Sequence, residues 1–397
     1  MPQPPNSYLD CNVNNLIIEE TNYDINEMAK EFNILFSKCN KEQLAVYHSV
    51  MESVEKNEGG VFFVYGSGGC GKTNCDYSNA AGRTAHSRFK IPIVIDEYSM
   101  CSISHTSDIA ELIKRTNLII WDEVPMQHRY AFECLDRSLR DIMKAVNPNR
   151  FHMPFVGITV VLGGDFRQIL PVIPRASRGE VVSASITRSK LWKIAIVFKL
   201  LHNMRLNKGR NQEEVQALSN FAKWVLQIGD GKVGPAAHVN REYVEDDKAI
   251  PKQFCHLNST NSVDEMIESA FPNFLDNYKD PDYLSNRAIL TPTNLTVGKV
   301  NSFFVEKLPC EMSSYFSIDT AEDYPGSKDD QLQSFPTEYL NSINIPGLPL
   351  HELKLKVGVV VMLMRNLNQT LGLCNGTRMM VTKCLSHCVE YEVISGQ

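Results

Sequence analysis

The residues with the clearest chemical pattern are the eight that follow an apolar segment early in the chain. Val61–Tyr65 is apolar, β-branched or aromatic throughout, which predicts a buried strand. The eight residues after it match the pattern G-x-x-x-x-G-K-[ST] and are Gly66, Ser67, Gly68, Gly69, Cys70, Gly71, Lys72 and Thr73. In such a loop the backbone N–H groups cradle phosphate oxygens, the lysine reaches the β- and γ-phosphates, and the threonine hydroxyl holds Mg²⁺. The pattern therefore predicts a nucleotide-binding loop.

The glycines of this loop are needed because the backbone adopts positive φ and phosphate approaches it closely. A glycine-rich turn without a ligand is the ordinary alternative. The apolar strand directly before the loop favours the phosphate-binding interpretation.

A pair of carboxylates follows a second apolar segment. Leu118–Trp121 predicts a buried strand, and Asp122 and Glu123 come directly after it. Downstream of a phosphate loop, an aspartate in this position orders the Mg²⁺ shell, and the adjacent glutamate aligns or deprotonates the attacking water. An Asp-Glu pair in isolation is usually a surface feature. The strand before it and the phosphate loop upstream favour a catalytic function.

A third polar cluster, Gly163–Gln168, follows a strand predicted over Val156–Leu162. A glutamine at such a strand end can hydrogen-bond the γ-phosphate or the attacking water, and so report hydrolysis to whatever else its loop touches. Taken alone, the cluster would be a turn. Its place in the chain favours a γ-phosphate sensor at Gln168.

Arg205 lies in the segment Leu201–Leu206, where a second region of the chain begins. A cation from a neighbouring domain can stabilise charge on the transferred phosphoryl group, as an arginine finger does. The alternative for Arg205 is an ordinary surface arginine.

The segment 82–89 mixes hydroxyl groups with Arg83, Arg88, His86 and Phe89. This blend suits single-stranded nucleic acid, because basic groups bind phosphates and an aromatic ring stacks on a base. Composition alone would also fit a solvated loop.

Strands and helices alternate around these clusters. Helices are predicted over Lys41–Glu55 and from Tyr130 to Val146, and a further strand over Ile194–Leu200. Such alternation predicts the α/β class, with a parallel sheet covered on both faces. Ligands of that fold bind beyond the carboxyl ends of the strands, which is where all three polar clusters lie.

A chain of 397 residues is long enough for two or three domains. Residues 1–37 are polar and are predicted to lie on the surface, 38–200 contain the phosphate loop, and the second region begins at 201. Two helices and two strands are predicted in that region: Gln212–Gln227, Ser262–Phe271, Ala288–Thr291 and Val357–Met364. Residues 310–350, acidic and rich in Pro, Ser and Gly, are predicted to form a loop or a mobile insertion.

The composition is that of an ordinary globular protein, with 43% hydrophobic and 22% charged residues. Because the formal net charge is −6, a groove for nucleic acid would have to be a local basic strip. Eleven cysteines without a C-x-x-C pair, and a start without signal-peptide features, predict free thiols in the cytosol or nucleus. The longest aliphatic run, Val357–Met364, is too short to cross a membrane.

Seven segments, in order, resemble those of one known family. They are the phosphate loop, GRTAHSRFKIP from Gly82, LIIWDE from Leu118, GGDFRQILPV from Gly163, LHNMR from Leu201, ILTPTN from Ile289 and MLMRNLNQTLGLCNGTR from Met362. Together they resemble the petite-integration-frequency (PIF) DNA helicases, and most of all the plant branch associated with rolling-circle (Helitron) transposons. The similarity extends from about Leu16 to the end of the chain.

The resemblance implies an ATP- and Mg²⁺-dependent helicase that moves 5′→3′ on single-stranded or forked DNA. It also implies a nuclear protein that acts in DNA repair, recombination and telomere maintenance. The fold would be that of a P-loop NTPase, with a RecA-like motor domain over 38–200. An incomplete second RecA-like domain with an inserted subdomain would follow over 201–397, with ATP between the two.

The same resemblance implies roles for particular residues. Gln43 would contact the adenine, and Gly71, Lys72 and Thr73 would hold the phosphates and Mg²⁺. Asp122 would bind Mg²⁺, and Glu123 would act on the attacking water. Gln168 and Arg205 would sense the γ-phosphate. DNA would be contacted by Thr84, His86 and Phe89 in the first domain and by Thr291, Pro292 and Asn294 in the second.

The chain departs from the family pattern in two places. Only eight residues separate Thr73 from Gly82, where the family has a helix, a strand and a DNA-contacting loop, so an element is predicted to be lost. The sequence also stops at Gln397, before the family's last two motifs, which carry a DNA-coupling glutamine and a further arginine finger. Loss of such an arginine can lower turnover on the order of 10³-fold.

Two functions therefore remain open: an active ATP-dependent DNA helicase, or a catalytically impaired ATP- or DNA-binding remnant of a transposon-encoded helicase. A small-molecule phosphotransferase would explain the phosphate loop. It would leave GRTAHSRF, GGDFRQ and NMR without a function.

Overall fold

The computed structural model divides the chain into two compact units, Met1–Ala249 and Ile250–Gln397. The residues that it describes are 14–71, 83–144, 146–204, 206, 211–232, 263–291, 293–320, 336–343, 349–365, 367–368 and 372–395. Among these residues, no helix combines the length and the apolar character that crossing a membrane requires. The predicted limits of the two motor domains, 38–200 and 201–397, stay predictions.

The first unit is built around a four-stranded parallel sheet with the strand order β2-β3-β1-β4. Its elements in chain order are α1 Asn15–Thr21, α2 Ile25–Ser37, α3 Lys41–Glu55, β1 Gly60–Gly66, α4 Ala85–Phe89, α5 Asp108–Arg115, β2 Leu118–Trp121, α6 Arg129–Met143, β3 Thr159–Gly164, α7 Arg178–Ala184, β4 Ile196–Leu200 and α8 Gln212–Gly229. The predicted α/β fold with a parallel sheet and flanking helices is confirmed.

β1 lies inside the sheet and is buried on both faces, as its continuous apolar sequence predicted. Successive side chains of a strand point to opposite faces. Phe63, which is 0% exposed, belongs to the apolar cluster that includes α6, whereas Phe62 and Val64 belong to the cluster that includes α3. Apolar side chains from helices therefore cover both faces of the sheet.

The register brings the ends of the strands to one edge of the sheet. Tyr65, near the end of β1, pairs with Gly164 at the end of β3, and Trp121 at the end of β2 pairs with Leu162. The phosphate loop, the carboxylate pair and the Gly163–Gln168 turn consequently leave the sheet on the same side. One strand, β3, separates β1 from β2, a spacing of roughly 10 Å across the sheet.

The predicted helices of the first unit are confirmed with small shifts at their ends. α3 has the predicted limits and begins with a capping box, in which the side chains of Asn40 and Gln43 each accept a hydrogen bond from the other's backbone N–H. α6 ends at Met143, three residues before the predicted limit, and α8 ends two residues after Gln227.

The segment 1–37, predicted only as a polar surface stretch, contains two helices, α1 and α2. Their N-caps are Asn14 and Asp24, whose side chains accept hydrogen bonds from N–H groups of the first turn. α2 packs on α3, with the rings of Phe36 and Tyr47 at 5.4 Å between centroids. The polar composition of the segment did not indicate these two helices.

The strand predicted over Val156–Leu162 was wrong in its first three residues, since β3 begins at Thr159. Phe155 and Val156 have φ of +47° and +56° and lie in a 3₁₀ turn. The Phe155 N–H donates to Asp136 Oδ1 at 2.6 Å, so a buried polar contact replaces strand pairing there. Apolar composition alone cannot distinguish a buried turn from a buried strand.

The described strands of the second unit all pair antiparallel, β5 with β6 and β7-β8-β9 in a three-stranded sheet. Its elements are α9 Val263–Ala270, α10 Phe274–Asn277, α11 Pro281–Ser285, α12 Asn294–Lys307, β5 Ser313–Phe316, α13 Thr337–Ser342, β6 Glu352–Leu355, β7 Val360–Met362, β8 Arg378–Cys384 and β9 Val389–Ser395. The helix predicted over Ser262–Phe271 is confirmed as α9.

Three predictions for this unit need correction. Ala288–Thr291 is not a strand but an irregular connection into α12, because no described strand lies beside it to pair with its backbone. The strand predicted over Val357–Met364 is shortened to β7, since Gly358 turns the chain with φ of +90°. The predicted loop 310–350 contains β5 and α13.

β3 passes so close to the turn after β2 that only glycine fits at its end. A Cβ atom on Gly163 would lie 2.3 Å from Asp122 Oδ1, and one on Gly164 would lie 2.2 Å from Pro125 Cδ. These two glycines therefore let the Asp122 turn lie directly against β3.

Gly163→Ala is expected to lower the free energy of unfolding by about 1–3 kcal/mol, because the added methyl group must displace the Asp122 carboxylate or β3. Denaturant unfolding measures this change. Gly179→Ala in α7 is the matched control, since the nearest atom to its new Cβ, Ser177 Oγ, lies 3.9 Å away. Equal stability of the two variants would contradict the close approach.

Candidate nucleotide site at the carboxyl edge of the sheet

Two glycines in the described part of the phosphate loop, Gly66–Gly71, turn the backbone. Gly69 and Gly71 have φ of +93° and +71°, in the left-handed region that favours glycine. A Cβ atom on Gly68 would meet no described atom within 4 Å. Turns of this kind can bind anions through their backbone N–H groups, and phosphate binding by this loop stays a prediction.

The side chain of Gln43 is hydrogen-bonded to the phosphate loop. Its side chain is 0% exposed, and its Nε2 donates to Gly71 O at 2.9 Å and to Cys70 O at 3.4 Å. Its Oε1 accepts from the Asn40 N–H at 2.9 Å. The amide thus joins the N-terminus of α3 to the phosphate loop, and the predicted contact of Gln43 with adenine stays a prediction.

The segment after β4 lies against the same loop. The N–H of Met204 donates to Gly69 O at 2.8 Å, and the N–H of Leu201 donates to Glu42 Oε2 at 2.8 Å. Sequence reasoning missed Glu42 and Met204, although Glu42 stands next to Gln43 in the first turn of α3. Arg205 lies outside the described residues. Its neighbour Met204 is hydrogen-bonded to the phosphate loop.

Asp122 and Glu123 are placed by the turn that follows β2. Asp122 is exposed, and its Oδ1 accepts a hydrogen bond from the Glu123 N–H at 2.8 Å. Glu123 has φ of +54°, an uncommon value for a residue other than glycine. The catalytic function predicted for this pair stays a prediction.

The Gly163–Gln168 turn closes on Asp165, which is 4% exposed. Asp165 Oδ1 accepts from the N–H of Arg167 at 3.0 Å, and its backbone oxygen accepts from the N–H of Gln168 at 3.1 Å. Gln168 itself is exposed at the edge of the sheet where the phosphate loop begins. Its predicted sensing of a γ-phosphate stays a prediction.

Arg167 ties this turn to the end of α8. Its Nε donates to Asp230 Oδ1 at 2.6 Å, and its guanidinium lies 5.4 Å from the centre of the Tyr65 ring. The hydrogen bond raises the pKa of Arg167 and lowers the pKa of Asp230. Sequence reasoning missed this pair, because residues 63 positions apart leave no local pattern.

The predicted DNA segment lies beside the carboxylate pair. A cavity of about 860 Å³ is lined by Thr84, His86 and Phe89 and also by Trp121 and Asp122. The rings of Phe89 and Trp121 are 6.2 Å apart, so Phe89 packs partly on the core. The structure therefore brings the three DNA-segment residues and Asp122 to one cavity.

Thr291 and Asn294 lie in the second unit, at the start of α12. Thr291 Oγ1 donates to the backbone oxygen of Thr293 at 3.0 Å, and Thr293 is the N-cap of α12. Their predicted contact with DNA stays a prediction.

Four of the predicted site residues lie outside the described residues: Lys72, Thr73, Arg205 and Pro292. The segment 74–81, where an element was predicted to be lost, lies outside them as well.

Gln43→Met is expected to lower the free energy of unfolding by about 1–3 kcal/mol, because it leaves loop carbonyls and the Asn40 N–H without their partner. Gln216→Met is the matched control, since this exposed glutamine bonds Asn220 within α8. Denaturant unfolding compares the two variants. An equal effect would show that the Gln43 amide does not support the loop.

Asp230→Asn is expected to destabilise the protein at pH 7 by an amount that shrinks in acid. Because the folded-state pKa of Asp230 is lowered, its pair with Arg167 stabilises the fold above the unfolded aspartate pKa of about 3.9. That contribution is lost as the pH falls through the folded-state value. Urea unfolding at pH 7 and pH 3 measures the difference, with Asp276→Asn in α10 as control. A difference that is independent of pH would contradict this reasoning.

Two family models match this chain. The model of the PIF1-like helicase matches residues 38–76 and 78–238, just over half of the chain, and the model of the DNA helicase Pif1 2B domain matches residues 338–384. The first match covers β1 to β4, and the second covers β6, β7 and β8.

Curated relatives carry the same family name. The ATP-dependent DNA helicase Pif1 of Psychrobacter sp. (strain PRwf-1) is 24% identical over 298 residues, which is 75% of this chain and 37% of that protein. The ATP-dependent DNA helicase PIF4 of Trypanosoma brucei brucei (strain 927/4 GUTat10.1) is 32% identical over 97 residues, 23% of this chain and 11% of that protein. The chain therefore spans little more than a third of the one and about a tenth of the other.

Solved structures agree on the fold. One shows two coordinating Pif1 helicases at forked double-stranded DNA, with 21% identity, 90% of this chain and 75% of that chain covered, and a TM-score of 0.54. Another, Bacteroides Pif1 bound to single-stranded DNA, has 20% identity, covers 90% and 72%, and has a TM-score of 0.53. The predicted family is confirmed: the chain belongs to the PIF1-like helicases.

Proposed function

We propose that this protein is an ATP-dependent DNA helicase that couples ATP hydrolysis to 5′→3′ movement on single-stranded or forked DNA. The observation that supports this most is the convergence at one edge of a parallel sheet. There the phosphate loop, the Asp122–Glu123 pair and the Gly163–Gln168 turn leave adjacent strands. Family membership supports ATP hydrolysis as the reaction. The convergence places residue types that this reaction needs at one edge of the sheet.

Each residue of the edge has a proposed task. The loop backbone, Lys72 and Thr73 bind the phosphates, and Asp122 orders the metal shell. Glu123 removes a proton from the attacking water, while Gln168 hydrogen-bonds the γ-phosphate. The water oxygen bonds to the γ-phosphorus while the bond from this phosphorus to the oxygen of the β-phosphate breaks, so that phosphate and ADP leave; bound Mg²⁺ would supply positive charge for the phosphate oxygens.

Coupling to movement is proposed to run through the supports of the loop. Gln43 joins the loop to α3, and Met204 joins it to the segment that leads to Arg205. A shift of the loop on hydrolysis would therefore reach both α3 and the start of the following region. We propose that Gln43 also contacts the adenine and that Arg205 supplies a cation to the γ-phosphate.

DNA binding is proposed at the cavity that Thr84, His86 and Phe89 line. Because Asp122 lines the same cavity, the nucleic-acid contact would lie next to the metal-binding carboxylate. Such a neighbourhood would let DNA stimulate hydrolysis. Thr291, Pro292 and Asn294 are proposed to contact the strand from the second unit.

Finer features are proposed on the resemblance of the sequence motifs. They are membership of the plant Helitron-associated branch, a nuclear location, and action in DNA repair, recombination and telomere maintenance. The short link between Thr73 and Gly82 favours one alternative, a remnant that binds ATP or DNA without unwinding.

Phosphate release with and without oligothymidylate, together with unwinding of a forked substrate with a 5′ tail, tests the proposal. DNA-stimulated, Mg²⁺-dependent release is expected, and Lys72→Ala is expected to lower it by at least about 10²-fold, since the lysine stabilises the transferred phosphoryl group. Lys56→Ala, at an exposed ion pair of the same unit, is the control.

The outcomes separate the two functions. Release that DNA stimulates, with unwinding, supports the helicase. Binding of an ATP analogue without stimulated release supports the remnant. A chain that binds neither nucleotide nor DNA would overturn both.

A further inference from the structure

α1 lies on the segment for which we propose DNA contact, and it carries two adjacent carboxylates. Arg83 Nη2 donates to Glu19 Oε2 at 2.7 Å, and Arg88 Nη2 donates to Glu20 Oε1. The partners are 64 and 68 positions apart, so both pairs are tertiary contacts. Both arginines of the predicted DNA segment are thus held by carboxylates of one helix.

α1 is anchored at its first turn rather than through a large apolar face. Asn14 caps it by accepting from the N–H of Leu16 at 3.0 Å, and its Nδ2 donates to the backbone oxygen of Asp108 at 2.8 Å. No residue of α1 is buried. A short helix fixed mainly by polar contacts can leave its place at low free-energy cost.

Arg88 has the capacity to bind a further acceptor. Its side chain is only 14% exposed, and its Nη1 is buried without a hydrogen-bond partner in the described part of the chain. A buried donor in this state destabilises the structure until an acceptor is supplied. The cavity of about 860 Å³ lies against Arg83, His86 and Arg88, with room for a phosphodiester group.

Carboxylate and phosphate are alternative ligands for these guanidinium groups, because each offers paired anionic oxygens. The Arg83–Glu19 pair is 39% and 44% exposed, so it contributes little stability. Contacts with several DNA phosphates together exceed that contribution. The carboxylates would therefore lower the affinity for DNA without abolishing it.

We propose that α1 is an acidic cover, in which Glu19 and Glu20 occupy the positions that DNA phosphates take on Arg83 and Arg88. The cover must move away before single-stranded DNA binds this segment. The proposal rests on the proposed DNA-binding function of the segment. The apparent dissociation constant is then raised by the inverse of the uncovered fraction.

Glu19→Gln/Glu20→Gln removes both charges with little change of shape. It is expected to tighten binding of oligothymidylate roughly three- to tenfold, as measured by fluorescence anisotropy of a labelled oligonucleotide. Glu213→Gln/Glu214→Gln is the matched control, because these adjacent carboxylates in the first turn of α8 give the same change in net charge.

A second variant weakens the attachment of α1 and leaves the charge of the helix unchanged. Asn14→Ala removes the cap of α1 and its hydrogen bond to α5 without changing any charge, and it is expected to tighten DNA binding in the same direction. It keeps the proposal testable where the double glutamine variant fails to fold, which circular dichroism and thermal unfolding would reveal.

Each outcome decides the proposal. Tighter binding by the α1 variants, but not by the α8 control, supports the cover. Equal tightening by the α8 control would assign the effect to net charge and overturn the cover. Unchanged affinity in the α1 variants, with DNA binding by the natural chain intact, overturns the cover and leaves the proposed function standing. Absence of DNA binding from every variant overturns both.

Discussion

The parallel pairing of β1 with β3 and β4 is the constraint on which the candidate site depends. Parallel neighbours end at the same edge, so backbone hydrogen bonding alone brings the phosphate loop and the Gly163–Gln168 turn to one side of the sheet. β2 continues the same register on the far side of β3 and adds Asp122 to that edge. The apolar clusters on the two faces stabilise this arrangement, because buried side chains of β1 and β3 pack there against residues of α3 and α6.

Polar side chains do the finer positioning. The Gln43 amide is buried at the junction of α3 with the phosphate loop, where it satisfies backbone groups of both. Buried amides are tolerated only when they are hydrogen-bonded, so this junction has one favourable geometry. Met204 extends the connection to the segment after β4. The loop that is proposed to hold the nucleotide is thereby joined to two neighbouring elements, which is the physical requirement for passing on a change in its ligand.

Three arginine–carboxylate pairs of the first unit differ in what they join. Arg167 pairs with Asp230 at the end of α8 and packs over Tyr65, so it fastens one turn of the site to a helix. Arg83 and Arg88 pair with α1, whose own anchoring is slight. The first pair therefore contributes to a fixed geometry. The pairs with α1 belong to the proposed cover, in which DNA phosphates would take the place of the two carboxylates.

The sequence by itself determined several of the local elements and the residue types at the strand ends. These features depend on residues within one turn or one strand of each other. They are the apolar runs of β1 and β2, the apolar stripe of α3, and the glycine, lysine and carboxylate residues that follow the strands. The tertiary structure decided which distant residues meet: Gly163 against Asp122, Gln43 beneath Gly71, and Arg83 with Glu19. It also decided that Ala288–Thr291 has no pairing strand among the described residues and that β3 begins only after the turn at Phe155. The reason is that hydrogen bonding and burial of such residues depend on the path of the chain between them, which no short window of sequence contains.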